Sequence, residues 1–276
     1  MKLLITVGTT ITILYVYSNI SCIMGIYYMD TEYTNGNYYL VDIFEIAVLA
    51  ESSGYIFHSY INIQCETIPR YVKRMCNVSD AVIKASPSFC EVMDDLVEFI
   101  QQEEAAEAKK KKTKNSIPIK IIAHGGYLFD FPLLLANCMN KRYDFHPKLE
   151  KYKFVDSVKV LQSLGYKQTS LDVLGGGERR THHSAVQDVE RLRNIIKKLI
   201  NYDDITTISY TYTLYDIVQY LNGKLPISIS ELYILANAED TSYEAFESAL
   251  RVRAIRKTAL NEKQICKIAY RYFFNK

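Results

Sequence analysis

Short apolar and aromatic runs dominate the first part of the chain, and helical spacing takes over later. Residues 23–29 are apolar and aromatic and predict a buried strand with Asp30 at its carboxyl end. "YLVDIFEIAVL" at 39–49 and "YIFHSYINI" at 55–63 predict two more strands joined through the turn-forming "AESSG". Three consecutive strands give the sheet an antiparallel start. A short helix is expected within 71–83. A longer one follows Ser86 or Ser88, either of which can cap it, with Phe89, Met93, Leu96, Val97 and Ile100 on one face.

The lysine-rich insertion at 103–116 either extends that helix or stands as a solvated arm, and Pro118 ends it. "IKIIAHG" then reads as a β-branched strand, and "DFPLLLANCMNKR" as a helix with its proline in the first turn. Residues 152–156 form the last expected core strand, followed by a helix over about 157–164. "GGG" at 175–177 is a hinge or loop; it lacks the strand, spacing and lysine of a phosphate-cradling loop. The 184–199 helix is the clearest of all, burying Val186, Val189, Leu192, Ile195, Ile196 and Leu199 on one side. Strands first and helices interleaved later predict an α/β fold around a mixed sheet, with a mainly helical C-terminal extension over 201–276.

Bulk properties narrow this picture. A chain of 276 residues with 49% hydrophobic and 23% charged residues is globular and can bury one substantial core. Six cysteines with no CxxC pair point to free thiols rather than a disulfide framework or a zinc knuckle. The net charge of +2 hides an asymmetry: residues 1–100 hold 5 Lys/Arg against 11 Asp/Glu, residues 101–276 hold 28 against 20. A polyanion can therefore be gripped by the later part without crowding the early carboxylates. Residues 1–22 are apolar after Lys2 and are expected outside the catalytic unit, as a secretory signal, a membrane anchor, or sequence upstream of a start at Met24. The catalytic unit is then 23–200. An intracellular site, cytoplasm or nucleus, is the first expectation, and a secretory or membrane route follows if 1–22 acts as a signal or anchor.

Five residues in three segments carry the candidate chemistry. Asp30 and Glu32 are two apart on a strand and face the same way, so they repel unless cations or protons neutralise them. Asp130 follows a strand and begins a helix, where capping is its alternative role. Asp188 falls in the opening turns of the 184–199 helix, and His183, just before it, can reach over the same site, with the adjacent His182 as the alternative that the residues alone leave open. Four carboxylates and one imidazole suit a hydrolase that holds two divalent metals and deprotonates water.

With "MDTEYT", "AHGGYLFDFPLL" and "HHSAVQDVERL" in this order, the chain resembles the DEDDh group of the DnaQ-like 3′–5′ exonucleases over about residues 23–200. "VDSVKVLQSL" resembles the strand and helix that precede the third motif. The resemblance implies a ribonuclease H-like mixed five-stranded sheet flanked by helices. It implies Asp30, Glu32, Asp130 and Asp188 as ligands of two Mg2+ or Mn2+ ions roughly 3.5–4 Å apart, with His183 as general base. The implied reaction is hydrolysis of DNA or RNA from the 3′ end, releasing nucleoside 5′-monophosphates. The implied partner is a single-stranded or 3′-frayed nucleic acid, with a polymerase or processing partner also compatible. Tyr33, Phe129 or Phe131 would stack on a base or pack in the core. One departure stands out: Gly125 follows the histidine of the second motif where the group usually has Asn. The alternative function is an exonuclease-like nucleic-acid- or partner-binding module with weak or no turnover.

Overall fold

A computed structural model describes residues 3–7, 10–14, 25–34, 41–63, 68–111, 119–141, 143, 152–176, 182–200, 211–213, 216, 217 and 220. Within the N-terminal apolar segment, β1 (Leu3–Val7) and β2 (Thr10–Leu14) pair antiparallel as a two-stranded sheet of their own. Residues 1, 2, 8, 9 and 15–22 of this segment lie outside the described residues, and the pairing does not test whether 1–22 acts as a signal, an anchor or upstream sequence. Among the described residues no helix is long and apolar enough to cross a membrane.

The main sheet is organised around β3 (Gly25–Tyr33). It pairs antiparallel with β4 (Ile43–Ala50), which pairs antiparallel with β5 (Ile56–Tyr60). On its other side β3 runs parallel to β6 (Ile119–Ala123), and β6 parallel to β7 (Tyr152–Asp156). These five strands form the mixed sheet expected from the sequence. A two-residue strand, later in the chain at Thr211–Tyr212, adds an antiparallel edge to β7.

The expected helix within 71–83 is two helices, α1 (Arg70–Cys76) and α2 (Asp80–Ala85). Asn77, at φ 51°, takes the left-handed conformation that ends α1, and the Ser79 side chain caps α2 by accepting from Val82 N. α3 (Phe89–Lys111) begins in a reciprocal box: Glu91 accepts from Ser88 N at 2.8 Å while Ser88 Oγ accepts from Glu91 N at 3.4 Å. Residues 103–111 of the lysine-rich insertion thus continue α3, and 112–116 lie outside the described residues.

α4 (Asp130–Asn140) follows β6, and α5 (Ser157–Ser163) follows β7 directly. After α6 (Leu171–Leu174), α7 (Ala185–Leu199) crosses one face of the sheet. The Thr211–Tyr212 strand is β8. The helical extension expected over 201–276 lies outside the described residues, apart from 211–213, 216, 217 and 220.

Strand alternation sorts the core into two layers. Tyr27 and Met29 of β3, with Ile46 and Val48 of β4, pack against α3 and α4 through Phe89, Val92, Leu96, Leu134 and Leu135. Tyr28, Ala47, Leu49, Ile122 and Val155 face the opposite way, onto Val189, Leu192, Ile195 and Ile196 of α7. Each such fully buried aliphatic side chain is worth about 1.5–3 kcal/mol, so α7 is fixed along its length by its apolar stripe. That stripe decides where the helix start delivers its polar residues.

Candidate active site

Asp30 and Glu32 share the parity of Tyr28, so both project to the α7 side of the sheet. The parallel pairing of β3 with β6 stops at Tyr28 and Ile122, leaving the two acids beyond it, where the β6–α4 loop turns away. Asp30 is partly buried and Glu32 is buried.

Asp130 is the first residue of α4 and returns from that loop to the same end of β3. Its Oδ1 accepts from Thr31 N at 3.1 Å and from Thr31 Oγ1 at 2.7 Å, tying the helix start to the strand between the two acids. Two glycines make the loop. Gly125 has φ +71°, and a Cβ on Gly126 would lie 2.6 Å from Ala123 Cβ and 2.7 Å from the Phe131 ring. The departure at Gly125 therefore coincides with a left-handed backbone. Beneath the loop, Asp156 caps α5 by accepting from Val158 N at 2.9 Å and takes a further bond from Tyr127 N at 3.2 Å. His124 meets Ser157 Oγ through Nδ1 at 2.9 Å.

α7 supplies the remaining groups. Asp188 is buried in its first turn, and His183 is half-buried just before it, with its backbone N–H donating to Met75 O at 2.8 Å. Donor atoms of Glu32, His183 and Asp188 all lie within 4.8 Å of one another, close enough to hold one cation. Asp30 and Asp130 are outside this trio but share its electrostatics. Burial holds the Asp30 carboxyl well above the usual carboxylate range, and the charges of Asp130, Asp188, Glu32 and Glu45 push it the same way. Burial raises Glu32 to about 7, with Glu45 and Asp188 adding to the effect and the Cys76 hydrogen bond opposing it. Burial likewise raises Asp130 to about 6, against the hydrogen bonds from Thr31.

Carboxylates crowded this way favour protons or cations. An oxygen-rich set with one imidazole fits a hard divalent ion such as Mg2+ or Mn2+. The nearby thiol does not compete: burial and the Glu32 charge raise Cys76, which keeps its proton and donates to Glu32 Oε2 at 3.5 Å.

Sequence reasoning passed over Glu45, Thr31, Cys76 and Ser184. Glu45 had a signal, a single acid inside the apolar run "IFEIAVLA" of β4, where nearly every neighbour is buried. Cys76 and Ser184 had none, because only the tertiary fold brings them to the acids. Of the aromatic candidates, Phe131 packs in the core against Phe154 with ring centroids 5.0 Å apart, which removes it from base stacking. Phe129 is 48% exposed beside the loop, and Tyr33 packs against the α3–α4 layer.

No protein-family model matches the chain, and no curated protein matches it in sequence. Among solved structures it is similar to a 3′-exonuclease described in specific recognition of the 3′ end of the histone mRNA stem-loop. That match has a TM-score of 0.50 and 14% identity, and covers 63% of this chain and 62% of that one, less than two thirds of its length. A full-length 3′-exonuclease superposes with a TM-score of 0.49 at 14% identity, covering 63% of this chain and 80% of that one. Cell-death related nuclease 4 gives 0.48 at 11% identity, covering 64% of each chain. At such identities the likeness is one of fold: the chain has the ribonuclease H-like fold found in the DnaQ-like 3′–5′ exonucleases.

Proposed function

We propose that this protein is a metal-dependent 3′–5′ exonuclease acting on single-stranded or 3′-frayed DNA or RNA. The observation that carries the reading is the convergence of Asp30, Glu32, Asp130 and Asp188, from three separate elements, on one end of β3 beside His183. The similarity in fold to a 3′-exonuclease supports it.

In this reading Asp30, Glu32, Asp130 and Asp188 hold two Mg2+ or Mn2+ ions. Such ions neutralise the clustered carboxylates, polarise a phosphodiester and favour deprotonation of water. Thr31 keeps the Asp130 carboxylate facing the site by occupying one of its oxygens. His183, outside the helix and half-buried, takes the proton from the attacking water, while Asp188 stays fixed in the first turn of α7. Phe129, exposed at the rim, offers a face for a terminal base.

The test is a time course on matched single-stranded and duplex DNA and RNA, labelled separately at each end, with Mg2+, with Mn2+ and with chelator. Stepwise loss of a 3′ label as mononucleotide, abolished by chelator and by Asp30→Asn, is the expected result. Strand binding that needs no metal and leads to no cleavage would identify a binding module instead.

A further inference from the structure

We propose that Glu45 is a positioning residue which, through Ser184, sets the start of α7 and so places His183 and Asp188 against Glu32; the catalytic consequence rests on the exonuclease reading above. Glu45 stands directly opposite Glu32 in the antiparallel register of β3 and β4, on the same face of the sheet. It is 1% exposed, in a strand whose residues are all buried. Its Oε1 meets His58 Nε2 at 3.0 Å and accepts from Ser184 Oγ at 3.3 Å, whereas Oε2 has no hydrogen-bond partner among the described residues. Leaving such an oxygen buried and unbonded carries its full desolvation penalty, which an apolar side chain here would avoid. A strand selected for packing alone has no reason to carry this group.

Ser184 shows what the group does. It is the N-cap residue of α7, where serine ordinarily accepts from an amide of its own helix, yet its side chain makes no capping bond. The hydroxyl instead donates onto the facing sheet, to a carboxylate 139 positions away in sequence. The cap is thus forgone for a tether. On the other side of the same dipeptide, His183 N is held by Met75 O at 2.8 Å. Asp188 is fixed in turn by its backbone bond to Ser184 O at 3.0 Å. The histidine and the helix start are pinned from the sheet by Glu45 and from α1 by Met75, and only the first pin uses a side chain that substitution can remove.

The test uses the full chain as wild type, Ser184→Ala, Glu45→Gln, Glu45→Ala and the Glu45→Ala/Ser184→Ala double variant. Mn2+ affinity is read by titration calorimetry, kcat and KM by release of a 3′ label, and folding by thermal melting. Loss of the tether is expected to weaken Mn2+ binding or lower kcat about 10-fold with KM for the strand unchanged. Glu45→Gln, which keeps an acceptor for Ser184, should stay close to wild type, and the double variant should lose no more than Glu45→Ala alone. Losses that multiply, an unaffected Ser184→Ala, or a lowered melting temperature with normal Mn2+ affinity and kcat would each overturn the proposal. If Glu45→Ala does not fold, Ser184→Ala and Glu45→Gln decide it. A wild type that binds Mn2+ but cleaves nothing defeats the exonuclease reading while leaving Mn2+ affinity to judge Glu45; one that binds no Mn2+ defeats both.

Discussion

The two halves of the interface between the sheet and α7 use the same three elements for opposite chemistry. In one half, Tyr28, Ala47 and Leu49 of β3 and β4 pack into one apolar cluster with Val189, Leu192, Ile195 and Ile196. In the other, two and four residues beyond Tyr28 on β3 and two before Ala47 on the antiparallel β4, Asp30, Glu32 and Glu45 meet His183, Ser184 and Asp188. Burial stabilises the first half and penalises the second, because charges removed from water raise the free energy unless paired. The apolar half therefore holds the polar half in an arrangement that the polar half would not adopt alone.

This contrast can be broken from either side. The largest effect is expected in the polar half: His183→Ala should lower metal-dependent turnover on the order of 10²–10⁴-fold while leaving the melting temperature near that of wild type. Steady-state release of a 3′ label alongside a thermal melt checks both parts, and unchanged turnover contradicts the role given to the imidazole. In the apolar half, Leu192→Ala should do the reverse. It should cost about 2–5 kcal/mol of folding stability by denaturant titration, because a leucine 1% exposed leaves a cavity, with activity per folded molecule retained.

The smallest effect concerns pH. Glu32 lies at about 7 against an ordinary 4.5, and Asp130 at about 6 against 3.8. Between those pairs of values the folded protein binds more protons than the unfolded chain. Stability of the metal-free protein therefore falls as pH rises from about 4 to about 7. Melting curves across that range, with chelator and with excess Mn2+, should show the decline only when metal is withheld. A melting temperature that rises with pH in chelator would contradict the crowding of the acids.

The strands and α7 were legible because their signals are local. The apolar run before Asp30 and the 3.6-residue stripe from Val186 to Leu199 do not depend on distant partners. The split of 71–83 into two helices was not, since it turns on a single left-handed residue, Asn77, which the apolar spacing does not announce. Phe131 was ambiguous for a related reason: an aromatic beside a candidate acid reads alike whether it faces substrate or core, and only its packing on Phe154 separates the two.

By itself the sequence determined the elements, the facing of Asp30 and Glu32 on one strand, and the candidacy of Asp130, His183 and Asp188, because side-chain periodicity and motif order are properties of neighbouring residues. Tertiary structure alone decided that Thr31 would hold Asp130, that Cys76 would bond Glu32, and that Glu45 would reach Ser184. Those contacts join residues 44 to 139 positions apart. Distances of that kind are fixed by strand register and by how an apolar helix face seats on the sheet, and neither is written in any short stretch of chain.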